Sequence, residues 1–259
     1  MLTIYFSGTG NTAYIAKTFS LKMEAACLSI EDDADFFKEM EKHDTIAFCY
    51  PVYGSRVPYI MRKFVEKHMD VLAGKKLIIF VTQMAFSGDG ARAFVDMFDG
   101  GAEVIYAEHF IMPNNVNNLA FLKQTGENKT KDCFKAAEVR LTQICDDIRN
   151  GIVKKRGFSA FSKFLGIIQG GPWQGTKSGK FSVERKGMKK VWIDKDCTAC
   201  NICVKICPMK NLENTNGKIT HKNNCTICYR CVNRCPHKAI TVFFNKKPKW
   251  QYLLKEEPQ

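Results

Sequence analysis

Leu2-Thr-Ile-Tyr-Phe6-Ser7-Gly8-Thr9-Gly10-Asn11-Thr12 decides the fold of the first half of the chain. Apolar and β-branched residues open it as a strand, small hydroxylated residues and glycines form a tight loop, and the apolar spacing across Thr12–Lys22 makes a helix. Further strands are expected at Ala26–Ile30, Thr45–Tyr50, Leu77–Thr82 and Val104–Ala107. Helical spacing recurs in Pro58–His68, Gly90–Phe98 and Lys131–Arg149, the last ended by Asn150-Gly151. Strands alternating with helices predict an α/β architecture over residues 1–150, a doubly wound parallel sheet of five strands with helices on both faces.

The Ser7–Thr12 loop has the chemistry of an anion cradle. Its glycines let the backbone approach a ligand, its hydroxyls and N–H groups point inward, and the following helix adds positive potential. It lacks the lysine of a P-loop and the G-x-G-x-x-G spacing of a dinucleotide fingerprint. Two more loops leave the carboxyl ends of expected strands, where such sheets bind ligands. One is Tyr50-Pro51-Val52-Tyr53-Gly54-Ser55-Arg56-Val57-Pro58, the other Thr82-Gln83-Met84-Ala85-Phe86-Ser87-Gly88-Asp89-Gly90.

The C-terminal part carries a different signal. Of twelve cysteines, eight crowd between positions 197 and 235. Cys197, Cys200, Cys203 and Cys207-Pro208 form one run; Cys225, Cys228, Cys231 and Cys235-Pro236 repeat it 28 residues later. Soft thiolates suit iron and sulfide, and cysteines at x-x steps wrap three corners of one cube. The fourth cysteine, before proline, points to the neighbouring cube. Cys197, Cys200, Cys203 and Cys235 are therefore expected to hold one 4Fe–4S cluster, and Cys207, Cys225, Cys228 and Cys231 a second. Zinc also takes C-x-x-C pairs, but it has no use for a third cysteine and a C-P, twice over. Ile202, Ile206, Ile227, Val232 and Ile240 are expected to form the small core that shields the clusters. Cys27, Cys49, Cys133 and Cys145 read as buried apolar side chains.

Charge divides the chain further. Residues 1–150 hold 17 basic and 20 acidic side chains, 151–191 hold 10 and 1, and 192–259 hold 12 and 5. Anionic cofactors would offset much of the net +13, so a nucleic-acid partner is not expected, whereas an acidic redox partner is. The opposite signs of the two modules favour their docking. Residues 151–190 read as a basic linker, 191–245 as the cysteine domain and 246–259 as a tail with Trp250 and Tyr252 as anchors. Phe158–Ile168, behind Lys154, Lys155 and Arg156, is expected to form a short amphipathic helix. Linker packing is preferred over a seat on a membrane surface, because serine and glycine interrupt the apolar run. No apolar run approaches a transmembrane length and no secretory signal is evident, so a cytoplasmic location is expected.

S-G-T-G-N-T after a first strand resembles the phosphate loop of flavodoxins, which bind FMN. That resemblance implies that Ser7, Gly8, Thr9, Gly10, Asn11 and Thr12 hold the phosphate. It also implies that Pro51, Val52, Tyr53, Gly54, Gln83, Met84, Phe86 and Gly88 clasp the isoalloxazine ring. The usual ring-stacking tryptophan is missing from these loops. Residues 192–242 resemble a bacterial-type two-cluster ferredoxin, a small α+β domain, with an unusually basic surface. The whole chain is similar to flavodoxin–ferredoxin fusion proteins of anaerobes. What this implies is electron transfer between two 4Fe–4S clusters and FMN, as a carrier or redox partner in anaerobic metabolism. The alternative is an FMN-dependent reductase of a small organic acceptor, a quinone or activated alkene, with Phe110–Glu127 as a lid. His109, placed after the fifth strand, is expected to serve structurally or to give a proton near the flavin. The catalytic residues, the oligomeric state and the particular electron donor and acceptor carry no sequence signal.

Overall fold

A computed structural model describes residues 1–85, 88–98, 102–119, 121–175, 181–252 and 254. The first half runs β1 (Leu2–Tyr5), α1 (Asn11–Lys22), β2 (Ala26–Ser29), α2 (Phe36–Glu41), β3 (Thr45–Pro51), α3 (Tyr59–Lys67) and α4 (Met69–Leu72). It continues with β4 (Lys76–Gln83), α5 (Arg92–Val95), a 3₁₀ turn at Asp96–Phe98, β5 (Glu103–Ile111), α6 (Glu127–Arg149) and β6 (Lys154–Lys155). These strands form one parallel sheet in the order β2-β1-β3-β4-β5-β6.

Successive side chains of a strand face opposite ways, which gives this sheet a core on each side. Ile46, Phe48 and Tyr50 of β3 pack with Ile4, Ile79 and Phe94. Ala47 and Cys49 enter the other layer with Ile15, Phe19, Phe80, Tyr106, Leu141 and Ile144. Cys145 is buried there too, while Cys27 and Cys133 are only half-buried.

Three expectations are corrected here. The sheet has six strands, not five, because Lys154–Lys155 adds a two-residue edge to Tyr106–Ala107 of β5. Two exposed lysines carry no alternating apolar pattern, so nothing in their composition marks a strand. β5 extends to Ile111, which places His109 inside it; the ring is buried and its Nε2 accepts the Ala91 N–H at 3.3 Å. The Gly170-Gly171-Pro172 stretch is helical, belonging to α7 (Ala160–Gln174). Pro172 falls in the last turn, where its missing N–H removes one bond of the ladder, and the chain leaves through Gly175 at φ 76°.

The remainder comprises α8 (Val183–Met188), β7 (Val191–Ile193), α9 (Ile202–Lys205), β8 (Leu212–Thr215), β9 (Lys218–His221), α10 (Arg230–Arg234) and β10 (Ile240–Val242). β10 pairs antiparallel with β7, and β8 with β9. Val191, Leu212, Ile219, Ile227, Val232, Ile240 and Val242 form its core. Of the isoleucines expected inside, Ile206 is half-buried and Ile202 is exposed. Both line a cleft toward the first module.

The two halves are bolted together. The Arg230 guanidinium grips Glu31 with both terminal nitrogens, at 2.6 Å each, and donates to the Ser7, Gly8 and Ile206 carbonyls. Arg62 pairs with Glu184 at 2.6 Å in a largely buried setting. Asn117 donates to Asn233 and to the Trp250 carbonyl, and Asn118 donates to the Val242 and Phe244 carbonyls. The stretch after β5 is thus pinned to the cysteine module rather than hung as a free lid.

Candidate functional site: a pocket between two modules and two cysteine cavities

The loop between β1 and α1 is held open by its own side chains. Gly10 N–H donates to Ser7 Oγ at 3.1 Å, Asn115 Nδ2 donates to Thr9 Oγ1 at 2.7 Å, and the Thr12 and Thr82 hydroxyls meet at 2.7 Å. Asn11 donates to the Pro113 carbonyl and accepts from the Tyr252 hydroxyl. No side chain caps the start of α1, so its first N–H groups remain available to an anion.

This loop forms one wall of a pocket. Ser7, Gly8, Thr9, Asn11, Thr12, Pro51, Val52, Tyr53, Gly54, Gln83 and Met84 all line it. Among the expected residues, Gly10 faces away and packs against Leu254 of the tail. Gly88 also lies elsewhere, against the backbone of Gly166 in α7. Phe86 lies outside the described residues. The opposite wall comes from beyond those loops: Met112, Asn115, Leu119 and Leu122 after β5, within the stretch expected as a lid, Trp173 at the end of α7, and Ile227, Tyr229, Phe243 and Phe244 of the cysteine module.

Trp173 lies directly on Gly54, where a Cβ would come within 2.6 Å of the indole. Its ring also packs on Phe243, with centroids 5.5 Å apart. The indole stands where the loops themselves lack a tryptophan.

The pocket contains buried polar atoms that find no partner among the described residues: Tyr53 Oη, Gln83 Oε1 and the Trp173 indole N–H. Buried polar groups without partners are uncommon and costly. Three around one apolar cleft, beside an uncapped helix start, fit a flat ring with polar edges carrying a phosphate. FMN is such a ligand.

The cysteines assemble in two groups. Cys197, Cys200, Cys203 and Cys235 line one small cavity, with Ile193, Ile219 and Ile240. Cys207, Cys225, Cys228 and Cys231 line another, with Val191, Leu212 and Val242. The internal repeat is visible in the backbone. Positive φ recurs at Ala199 and Ile227, Asn201 and Tyr229, and Lys210 and Lys238. Left-handed backbone is costly for a β-branched residue such as Ile227, so the wrapping of this loop is imposed by its surroundings. It aims N–H groups at sulfur: Asn211 at Cys207, Ala239 at Cys235 and Ile227 at Cys225, each at 3.3 Å. Such donors stabilise negative charge on cluster sulfur. Among the described residues no three ligand side chains close on a single ion. A four-iron cube does not ask for that, since it holds its cysteines apart at its corners. Burial first, then neighbouring cysteines, pushes the Cys203 thiol up to about 11 and the Cys225 thiol up to about 12. Positive iron is the counter-charge that lets such thiols ionise.

The second cysteine group abuts the pocket. Gly8 packs so tightly on the module that a Cβ there would meet the Cys228 carbonyl at 2.5 Å. The first group is remote from the pocket, and its Cys200 is exposed.

Among curated proteins, none matches the chain. Among solved structures, the two-electron reduced Megasphaera elsdenii flavodoxin is 22% identical, covering 55% of this chain and 99% of that one, with a TM-score of 0.38. A flavodoxin from the domain Archaea is 14% identical, over 55% of this chain and 96% of that one, with a TM-score of 0.36. The general stress protein 14 of Treponema denticola, solved in complex with FMN, is 15% identical over 57% and 98%, with a TM-score of 0.42. A family model described as a flavodoxin domain matches residues 2–134, and one described as a 4Fe-4S dicluster domain matches residues 196–240. The first implies FMN and the second iron–sulfur chemistry, which together make an electron-transfer protein. The chain belongs to the flavodoxin-domain family, with a 4Fe–4S dicluster domain fused on the C-terminal side.

Proposed function

We propose that the protein is a relay that exchanges single electrons between two 4Fe–4S clusters and one FMN, serving larger redox enzymes as carrier or partner. Cys197, Cys200, Cys203 and Cys235 hold the outer cluster. Cys207, Cys225, Cys228 and Cys231 hold the inner one, beside the flavin. A cluster supplies one-electron exchange and a flavin one- or two-electron exchange, so the pair converts between the two. The observation that carries this reading is the contact of Gly8 with the Cys228 carbonyl, which sets the inner cysteine group against the phosphate loop. The chain's own part is placement and shielding. Ser7–Thr12 and the start of α1 take the phosphate, Tyr53, Gln83 and Trp173 offer polar atoms to the ring, and Tyr229 and Phe243 exclude water from its cluster side. Partners would meet the outer group at its exposed Cys200, near Lys195, Lys205 and Lys238, which favours an acidic surface.

A second reading, reduction of a small acceptor such as a quinone, is supported by one feature. Leu119, Leu122 and Phe244 give the pocket an apolar wall that a hydrophobic molecule would wet. Anaerobic purification, iron and flavin analysis and a redox titration test the relay. About eight irons and one flavin per chain are expected. About four irons, or no flavin, would overturn it. Oxidation of the reduced protein by quinones faster than by protein acceptors would move the assignment to the second reading.

A further inference from the structure

We propose that α7 is an interfacial helix that seats the protein on an anionic lipid surface. In a helix that packs onto a globular domain, the large apolar side chains turn inward. α7 is built the other way round. Its buried positions are Gly166 and Gly170, four residues apart on one face. Gly166 lies against Asp89 and Gly170 against Arg56, the two ends of a 3.2 Å ion pair that stiffens the flavin loops. Only glycine lets the helix come this close, because a Cβ at either position would overlap those side chains.

The outward face is apolar. Phe161, Phe164, Ile167 and Ile168 are 68%, 59%, 56% and 54% exposed. They recur at the three- and four-residue steps of one helical stripe. Isolated exposed apolar residues are ordinary, but a contiguous stripe of two phenylalanines and two isoleucines marks a surface that another phase or partner covers.

Charge selects the occupant. Exposed Lys163 borders the stripe, and the neighbouring α8, which packs beside α7, presents exposed Arg185 and Lys186. Exposed Lys155 precedes the helix. Between residues 151 and 191 the one acidic side chain is Glu184, which is buried and consumed by Arg62. An apolar stripe bordered by cations and lacking free acids matches the acyl and headgroup layers of an anionic bilayer. It lies flat rather than spanning, since among the described residues no helix is long and apolar enough to cross a membrane.

The test uses the whole holoprotein, purified without oxygen, and vesicles of phosphatidylcholine alone or mixed equally with phosphatidylglycerol. Sedimentation with the mixed vesicles, weakening at high salt and far lower on phosphatidylcholine, is expected. The double variant F161E/F164E should lose about tenfold in binding while keeping the visible spectrum of the parent, since both side chains are exposed. Light scattering on the same samples reads the alternative. A dimer that F161E/F164E dissociates, with no vesicle binding by the parent, would show that a second copy covers the stripe and would overturn the proposal. Equal binding of parent and double variant to the mixed vesicles would overturn it as well.

Discussion

Trp173 shows how one residue can complete a site from far along the chain. Its indole lies on Gly54, and its N–H is buried without a partner among the described residues. Replacing it by alanine should weaken FMN binding about thirtyfold, roughly 2 kcal/mol, as truncating a central aromatic does in other interfaces. Replacement by phenylalanine should restore most of that, leaving the lost indole hydrogen bond; fluorescence titration of the apoflavin form with FMN measures both. Its place after Gly-Gly-Pro marked it only as an anchor of the linker, because the signal for the pocket is a close approach between distant segments. The strand, loop and helix around Ser7–Thr12, by contrast, were legible, since the three parts are consecutive and their chemistry is local.

His109 makes a second prediction at this scale. Burial, with Arg156 beside it and Glu108 pulling the other way, lowers its pKa to about 4. Glu108 is raised by burial, but the His109 N–H, Arg156 and Arg140 outweigh this and hold it below the ordinary carboxylate value. Between pH 6.5 and 4 the unfolded chain binds a proton at this histidine that the folded chain refuses, so folding stability falls as pH falls across that window. Glu108 adds to the loss when pH drops through its own lowered value. Over the full window the histidine is worth about 3 kcal/mol. His109→Gln should be less stable near pH 7.5 yet lose less on acidification; urea titrations of parent and variant at pH 7.5 and 5.5 give the difference. Equal pH slopes would refute it.

Among elements, the 28-residue repeat is the one whose meaning the structure extends. The spacing alone told which cysteines share a run. The folded chain adds the repeated positive φ values and the N–H groups turned toward Cys207, Cys225 and Cys235. The crossed assignment makes an asymmetric prediction. Cys235→Ser should remove the outer cluster and leave about four irons that still exchange electrons with the flavin. Cys207→Ser should remove the inner cluster, lower the flavin content, and leave the flavin that stays reducible only slowly by any donor that enters at Cys200. Iron analysis with stopped-flow reduction separates the two; identical behaviour of both variants would count against the ordering. β6 and the Gly-Gly-Pro part of α7 escaped a reading by composition for a physical reason. A two-residue edge strand has no periodicity, and α7 hides glycine while showing its apolar face, the inverse of the pattern that such reading assumes.

At the scale of the molecule, the expected attraction between an acidic and a basic module is realised mainly at one residue. Arg230 spans the interface to Glu31 and to the Ser7 and Gly8 carbonyls. Arg230→Ala would leave those acceptors and a half-buried carboxylate without their donor, at a cost of about 2–4 kcal/mol to docking. The expected outcome is weaker FMN retention and faster limited proteolysis, with the iron content unchanged. Retained flavin and unchanged cleavage would show that the remaining contacts suffice.

The pocket has walls from both ends of the chain, Ser7 at one and Phe244 at the other. Its last wall belongs to the cysteine module, and if the proposed relay holds, with buried thiols that ionise only against iron, the folding of that module would wait on metal supply. Loading of the two cofactors therefore has an order built into it: clusters first, then a completed slot that retains FMN. A cell short of iron would accumulate a chain poor in flavin as well as in metal, even with FMN in excess. Supplying iron and sulfide to that protein should restore its affinity for the flavin, read as flavin bound per chain.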